Sequence, residues 1–459
     1  MHVTDLRGAQ VLVAGARVSG TAVVIALNRL GARCTVTDAN PAMLAPVAEL
    51  GADTAQDLAE PPEGTQLVVT VPGFTPHAPL VVAAARAGIP VWGDVELAWR
   101  CDQAQLFGPT RRWLAVTGTN GKTTTTTMLA EILAADGRRS TACGNIGVTV
   151  LSALMDDAGF TDLAVELSSF QLHWAPSVRP FVGAVLNVAE DHLDWHASMA
   201  AYTAAKSVVL TGEVAVLGRD DPGAAALVPT ARRTVGFRLG EPSVGEVGYR
   251  DGVLLDRAFA AGAVELAAAA EIVPGGPAGR SNAAAAAALG RAAGVRPESV
   301  AAGLRATAPG AHRSTLVRTL HGVSYVDDSK ATNSHAALAS ISAHRRVVWV
   351  AGGLLKGASV QQLVAAAGPR LVGVVLLGRD RAELAAALTR HAPQVPVVAV
   401  AAGDDAAMIE VVHAAHTMAN PGDTVLLAPA AASMDMFTDY AHRGRAFAAA
   451  VRALPAEQP

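Results

Sequence analysis

Trp113-Leu114-Ala115-Val116 is a short apolar run. It breaks at Thr117-Gly118-Thr119-Asn120-Gly121-Lys122-Thr123-Thr124, and a stretch able to continue as helix, Thr125 to Ala134, follows. Strand, glycine-rich turn and helix start, in that order, are the context in which such a turn holds phosphate. The first N–H groups of a helix lack intrahelical acceptors, and the helix dipole adds positive potential at the same end. Lys122 adds a point charge and the Thr123 hydroxyl a ligand for Mg2+. The general loop pattern has a glycine at the place of Val116; here that glycine stands at 118, so the loop is a shortened variant. The expected ligand is a nucleoside triphosphate.

The chain has 459 residues, too many for one ordinary core, and 51% of them are hydrophobic against 17% charged. It is therefore expected to fold into several domains rather than remain disordered. A formal net charge of -4 gives no footprint for a nucleic acid, and any anionic substrate must be held by local groups. Cys34, Cys101 and Cys143 show no metal-ligand spacing and suit a reducing compartment. The start, Met1-His2-Val3-Thr4-Asp5-Leu6-Arg7-Gly8, has no basic and apolar leader pattern. Apolar stretches such as Ala283 to Leu289 are shorter than a membrane span. A cytoplasmic protein without membrane insertion is expected.

The same strand–turn–helix order recurs along the chain. Gln10 to Ala14 leads through Gly15-Ala16-Arg17-Val18-Ser19-Gly20 to a helix ending at Leu30, then to a strand from Cys34 that closes on Asp38. Further strands are expected at Leu67 to Thr70, before Val71-Pro72-Gly73, and at Ile89 to Trp92. Gly15-x-x-x-x-Gly20 lacks the middle glycine of the dinucleotide fingerprint, so NAD or FAD is not the expected ligand. After the phosphate loop come strands at Leu163 to Leu167, Val182 to Leu186 and Val214 to Leu217, a β-rich insert between Arg233 and Val273, and an alanine-rich helix from Ser281. Strands at Val323 to Asp327, Val347 to Ala351, Val372 to Leu377, Val397 to Val400 and Thr424 to Leu427 follow, separated by helical segments. The reading is an α/β protein of three domains, 1–109, 110–309 and 310–459. Each is built on a mostly parallel sheet with crossover helices, and the central one is a P-loop, ATPase-like domain.

Polar groups concentrate where these strands end. Glu166 closes Leu163-Ala164-Val165 in the same domain as the phosphate loop, where a carboxylate can reach Mg2+ directly or through water. Asn187-Val188-Ala189-Glu190-Asp191-His192-Leu193-Asp194-Trp195-His196 follows the next strand, and residue types alone do not choose among Asp191, His192, Asp194 and His196. Lys206 reads as the polar end of an amphipathic helix. Asp328-Ser329-Lys330-Ala331-Thr332-Asn333, Gly352-Gly353-Leu354-Leu355-Lys356-Gly357 and Ser433-Met434-Asp435-Met436-Phe437 occupy the exits of parallel strands, where ligand crevices form.

Together these stretches resemble the Mur ligase family over essentially the whole chain. Gly118-Thr119-Asn120-Gly121-Lys122-Thr123-Thr124 resembles its ATP loop, and Asn187-x-x-x-Asp191-His192-Leu193-Asp194 a family-wide motif. Glu166 to Leu172, Asp328 to Asn333 and Ser433-x-Asp435-x-Phe437 resemble the D-glutamate-adding branch. The resemblance implies a cytoplasmic, monomeric enzyme that consumes ATP. It would join D-glutamate to UDP-N-acetylmuramoyl-L-alanine through an acyl phosphate. It implies Lys122, His192 and Lys206 as catalytic residues, and two Mg2+ ions near Thr123, Glu166, His192 and a carbamylated Lys206. A lysine that takes up CO2 turns from a cation into an oxygen ligand. Asn282, Arg313, Asp328 and Lys330 would join the loop in holding ATP. Val18, Ser19, Asp38 and Gly73 would line the cleft for the uridine diphosphate. Asn145 and Gln171 would meet the muramoyl part, His192 would stand near the acyl phosphate and the incoming amine, and Thr332, Lys356, Ser433 and Tyr440 would meet the D-glutamate. Three positions depart from the family pattern: Ala285 in place of an asparagine, Trp195 in place of an arginine, and Asn40 where an arginine can meet the nucleotide.

Overall fold

The computed structural model describes residues 2–308, 310–401 and 407–455. Pro309, the expected last residue of the central domain, lies outside them. Two compact units result. One comprises Met1–Val188, Trp195–Ile272 and Arg280–Thr307; the other comprises Ala189–Asp194, Val273–Gly279 and Ala308–Pro459.

The first unit carries two sheets. In the five-stranded one the order is Asp53–Gln56, Arg33–Asp38, Gln10–Ala14, Leu67–Thr70 and Val91–Gly93, parallel throughout. Gln10–Ala14 is central, and the helix Val18–Arg29 leaves its carboxyl end. In the nine-stranded sheet Arg112–Thr117 lies between Asp162–Glu166 and Val182–Val185, again parallel, with Ser140–Gly144 beyond the first and Val214–Gly218 beyond the second. Leu114 and Val116 pack on one face against Met128, Leu129 and Ile132 of the helix Lys122–Ala135; Trp113 and Ala115 pack on the other. A strand buried on both faces is apolar throughout, which is why Trp113 to Val116 shows no alternation.

The expected β-rich insert is not separate. Arg233–Phe237 pairs parallel with Val214–Gly218 and Glu246–Arg250 parallel with it; Val253–Asp256 and Val264–Ala268 then add antiparallel strands to the same sheet. The alanine-rich helix starts earlier than expected, running Gly276–Ala292. Ala283 to Leu289 are all fully buried, so the run has a packing reason: consecutive small side chains let a helix be covered on every side.

The second unit holds a six-stranded sheet in the order Thr315–Leu320, Val323–Asp327, Thr424–Leu427, Val347–Gly352, Leu371–Leu377 and Val397–Ala399. Only the first of these runs antiparallel to its neighbour. Among the described residues no helix is long and apolar enough to cross a membrane.

Candidate active site

The phosphate loop is built by backbone demands. Gly118 and Gly121 have φ of 155° and 85°, and Gly121 caps the helix Lys122–Ala135 in the left-handed region that disfavours a Cβ. The Thr125 N–H donates to the Gly121 carbonyl at 2.9 Å, which closes the first turn of the helix on the loop. Asn187 clamps the loop from the neighbouring strand end. Its Oδ1 accepts the Asn120 N–H at 2.8 Å, its Nδ2 donates to the Asn120 carbonyl at 3.1 Å, and its carbonyl accepts the Thr119 N–H at 3.0 Å. Lys122 Nζ donates to the carbonyls of Gly118 and Thr119, at 2.9 and 3.0 Å. The Asn282 side-chain oxygen lies where a Cβ on Gly121 would stand, so this expected nucleotide contact sits against the loop.

Glu166, Asn145 and Lys206 converge on the same region. Glu166 is 2% exposed. Asn145 Nδ2 donates to its Oε1 at 2.8 Å, whereas Oε2 is buried with no hydrogen-bond partner. A buried carboxylate oxygen without a donor is costly, and a hard cation satisfies it. Mg2+ takes one or two protein carboxylates and completes its octahedron with phosphate oxygens and water. Lys206, 1% exposed, donates to the Gly118 carbonyl at 2.9 Å and lies over the Tyr202 ring at 4.4 Å; the Tyr202 hydroxyl and Thr119 Oγ1 are 3.0 Å apart. Tyr202 and Lys206 are four residues apart on one helix face, and that spacing is the signal that pairs them. Gln171 is buried within its own helix start, its Oε1 accepting from Ser168 N and Oγ at 3.0 and 3.1 Å.

A second feature lies at the carboxyl end of the first sheet. A cavity of ≈ 630 Å3 is lined by Val18, Ser19, Asp38 and Gly73 among others, so the four residues expected there share one wall. Asp38 turns both oxygens to backbone, accepting from Ala16 N and Asn40 N at 2.9 Å each. Behind Ser19, burial pushes the Asp94 carboxyl up to about 6, with a bond from Ser19 working in the other direction. Neither Asp94 nor Asn187 carries a signal in residue type alone.

In the second unit Lys330 and Tyr440 meet beside the turn after Val323–Asp327. Lys330 Nζ lies 3.7 Å from the Tyr440 ring centroid, and Ser329 Oγ donates to the Tyr440 carbonyl at 2.7 Å. Arg443, fully buried, fixes that turn through Ser329 Oγ and the Ser329 carbonyl, both at 3.0 Å. Burial raises the Asp328 carboxyl above its ordinary value, and Arg313 offsets part of that. The Thr332 N–H donates to the Lys330 carbonyl at 2.9 Å, Ser433 is buried, and Lys356 is exposed with φ of 52°. His192 belongs to the segment Ala189–Asp194 of this unit, with φ of 55° and its N–H on Asp191 Oδ1 at 2.9 Å. Asp191 Oδ2 in turn accepts from Asn333 Nδ2 at 3.2 Å.

A parallel strand, a glycine turn, a lysine at the helix start and a buried carboxylate on the adjacent strand define a P-loop nucleotide site. Comparison with known proteins narrows the class. Residues 116–241 match the Mur ligase middle domain and residues 312–431 the Mur ligase, glutamate ligase domain. UDP-N-acetylmuramoylalanine--D-glutamate ligase of Mycobacterium bovis is 56% identical over 480 residues, covering 97% of this chain and 96% of its own. Among solved structures, MurF from Acinetobacter baumannii superposes with a TM-score of 0.61 at 18% identity, covering 92% of this chain and 91% of its own. UDP-N-acetylmuramate-alanine ligase MurC from Thermotoga maritima gives 0.59 at 16% identity, with 97% and 100% covered. The chain belongs to the Mur ligase family.

Proposed function

We propose that this chain is the ATP-dependent ligase that joins D-glutamate to UDP-N-acetylmuramoyl-L-alanine, releasing ADP and phosphate, in peptidoglycan precursor synthesis. The observation that carries the reading is 56% identity across 97% of the chain to a ligase named for that reaction. The Glu166 oxygen left uncommitted beside the Lys122 loop supports it. The substrate carboxylate attacks the γ-phosphorus of ATP, ADP departs, and the D-glutamate amine attacks the resulting acyl phosphate to expel phosphate.

In this reading the amides at the start of the helix Lys122–Ala135 and the Lys122 ammonium hold the polyphosphate. Glu166 Oε2, the Thr123 hydroxyl, His192 and a carbamylated Lys206 would hold magnesium at two sites. When bound, magnesium offsets charge on the transferring phosphoryl oxygens. Asn145 fixes Glu166 and, with Gln171 and His192, orients the muramoyl carboxylate. The first-sheet cavity takes the uridine diphosphate through Val18, Ser19, Asp38 and Gly73. Asn282, Arg313, Asp328 and Lys330 serve ATP, and Thr332, Lys356, Ser433 and Tyr440 serve D-glutamate. The division into domains 1–109, 110–309 and 310–459, a monomeric state and a cytoplasmic location belong to the same reading.

Phosphate release from ATP tests it, with UDP-N-acetylmuramoyl-L-alanine present and D-glutamate, L-glutamate or no amino acid added. Release should require D-glutamate and yield a product with the mass of the condensed pair. Stripping CO2 should lower the rate and bicarbonate restore it. Turnover with a different amino acid instead would overturn the assignment, and indifference to CO2 would remove the carbamate.

A further inference from the structure

Phe74 lines the first-sheet cavity, yet its carbonyl is held by a residue distant in the chain: the Trp174 indole N–H donates to it at 3.1 Å. Trp174 is fastened to the first sheet a second time, since its own carbonyl accepts the Gly93 N–H at 2.9 Å. In the chain it follows the helix Ser169–His173, which begins three residues after Glu166. Its ring meets His173 edge-on at 4.7 Å between centroids; His173 meets Trp195 at 5.1 Å, and Trp195 meets His196 at 4.5 Å. His196 Nε2 closes the path on Ser169 Oγ at 2.9 Å. A continuous set of rings therefore runs from the cavity wall to the helix behind Glu166.

This path uses Trp195, one of the three departures from the family pattern. Trp195 is 9% exposed and its indole N–H has no acceptor, so it contributes packing. An arginine at that depth would require a counter-charge, whereas an indole packs against imidazole without one.

We propose that Trp174 is a positioning residue for the uridine-nucleotide end of the substrate, its N–H fixing the Phe74 carbonyl and with it that wall of the cavity. The inference rests on the reading of the cavity given above. Without the bond the Phe74 carbonyl turns to solvent and the wall loosens, while the Lys122 loop keeps its own clamp through Asn187.

The test is Trp174→Phe, with UDP binding measured by calorimetry and the two KM values by steady-state kinetics. UDP should bind roughly 3- to 10-fold more weakly, the effect of one neutral hydrogen bond. KM for UDP-N-acetylmuramoyl-L-alanine should rise by the same factor, with KM for ATP unmoved. Incorporating 3-benzothienylalanine at position 174 keeps the bicyclic shape, removes only the N–H, and should give the same result. Unchanged UDP affinity in both variants would overturn the proposal, and so would an equal loss of ATP affinity, which marks general support of the fold. Failure of the unaltered protein to bind UDP would instead remove the reading of the cavity, and this inference with it.

Discussion

Two glycine turns, Gly15 to Gly20 and Gly118 to Gly121, stand at the carboxyl ends of central parallel strands and each feeds a helix. Their geometry is alike and their chemistry differs. In the first, the Asp38 carboxylate takes the Ala16 N–H, so the turn spends a donor on the protein itself, and no lysine follows. In the second, Lys122 opens the helix and a buried carboxylate with one uncommitted oxygen stands on the adjacent strand. The first arrangement suits holding a ligand in place; the second suits charge that moves during a reaction. A turn on a parallel sheet thus supplies location, and the side chains around it decide between binding and catalysis.

The largest effect that would sharpen this contrast is expected from Lys122→Ala. It should lower kcat by roughly 10^2- to 10^3-fold, the scale of removing one charge-stabilising donor, and leave UDP binding untouched by calorimetry. Equal losses in both would break the distinction between the turns. A smaller effect is expected from paired glycine substitutions. A Cβ on Gly20 would collide with the Gly15 backbone carbonyl, which cannot yield; a Cβ on Gly121 meets the mobile end of Asn282. Gly20→Ala should therefore cost about 2–3 kcal/mol in urea melts. Gly121→Ala should cost about 1–2 kcal/mol for the left-handed backbone alone while lowering kcat more. The reverse ranking in stability would contradict the packing described.

Much of the fold is legible in the sequence because strands buried on both faces are written as unbroken apolar runs, as at Leu163 to Val165 and Val347 to Ala351. Short edge strands with polar residues escape that signal. Asp53–Gln56, Ser140–Gly144 and Thr315–Leu320 are half-exposed or exposed over most of their length and carry no such run. The phosphate loop is legible because its backbone admits few residue types. The hydrogen-bond partners are not: Asn187 holds the loop and Trp174 the cavity wall across 67 and 100 residues of chain, and only the fold brings those partners near. The cavity residues Val18, Ser19 and Gly73 are common types, and their grouping follows from topology and the family resemblance.

The central claim is that the second turn transfers phosphoryl to the substrate's own carboxylate. UDP-N-acetylmuramoyl-L-alanine labelled with 18O in that carboxylate tests it most directly, with the released phosphate analysed by mass spectrometry after one turnover in the presence of D-glutamate. An acyl phosphate requires one labelled oxygen in each phosphate released. Phosphate free of label, with the displaced carboxylate oxygen leaving in water, would contradict that route.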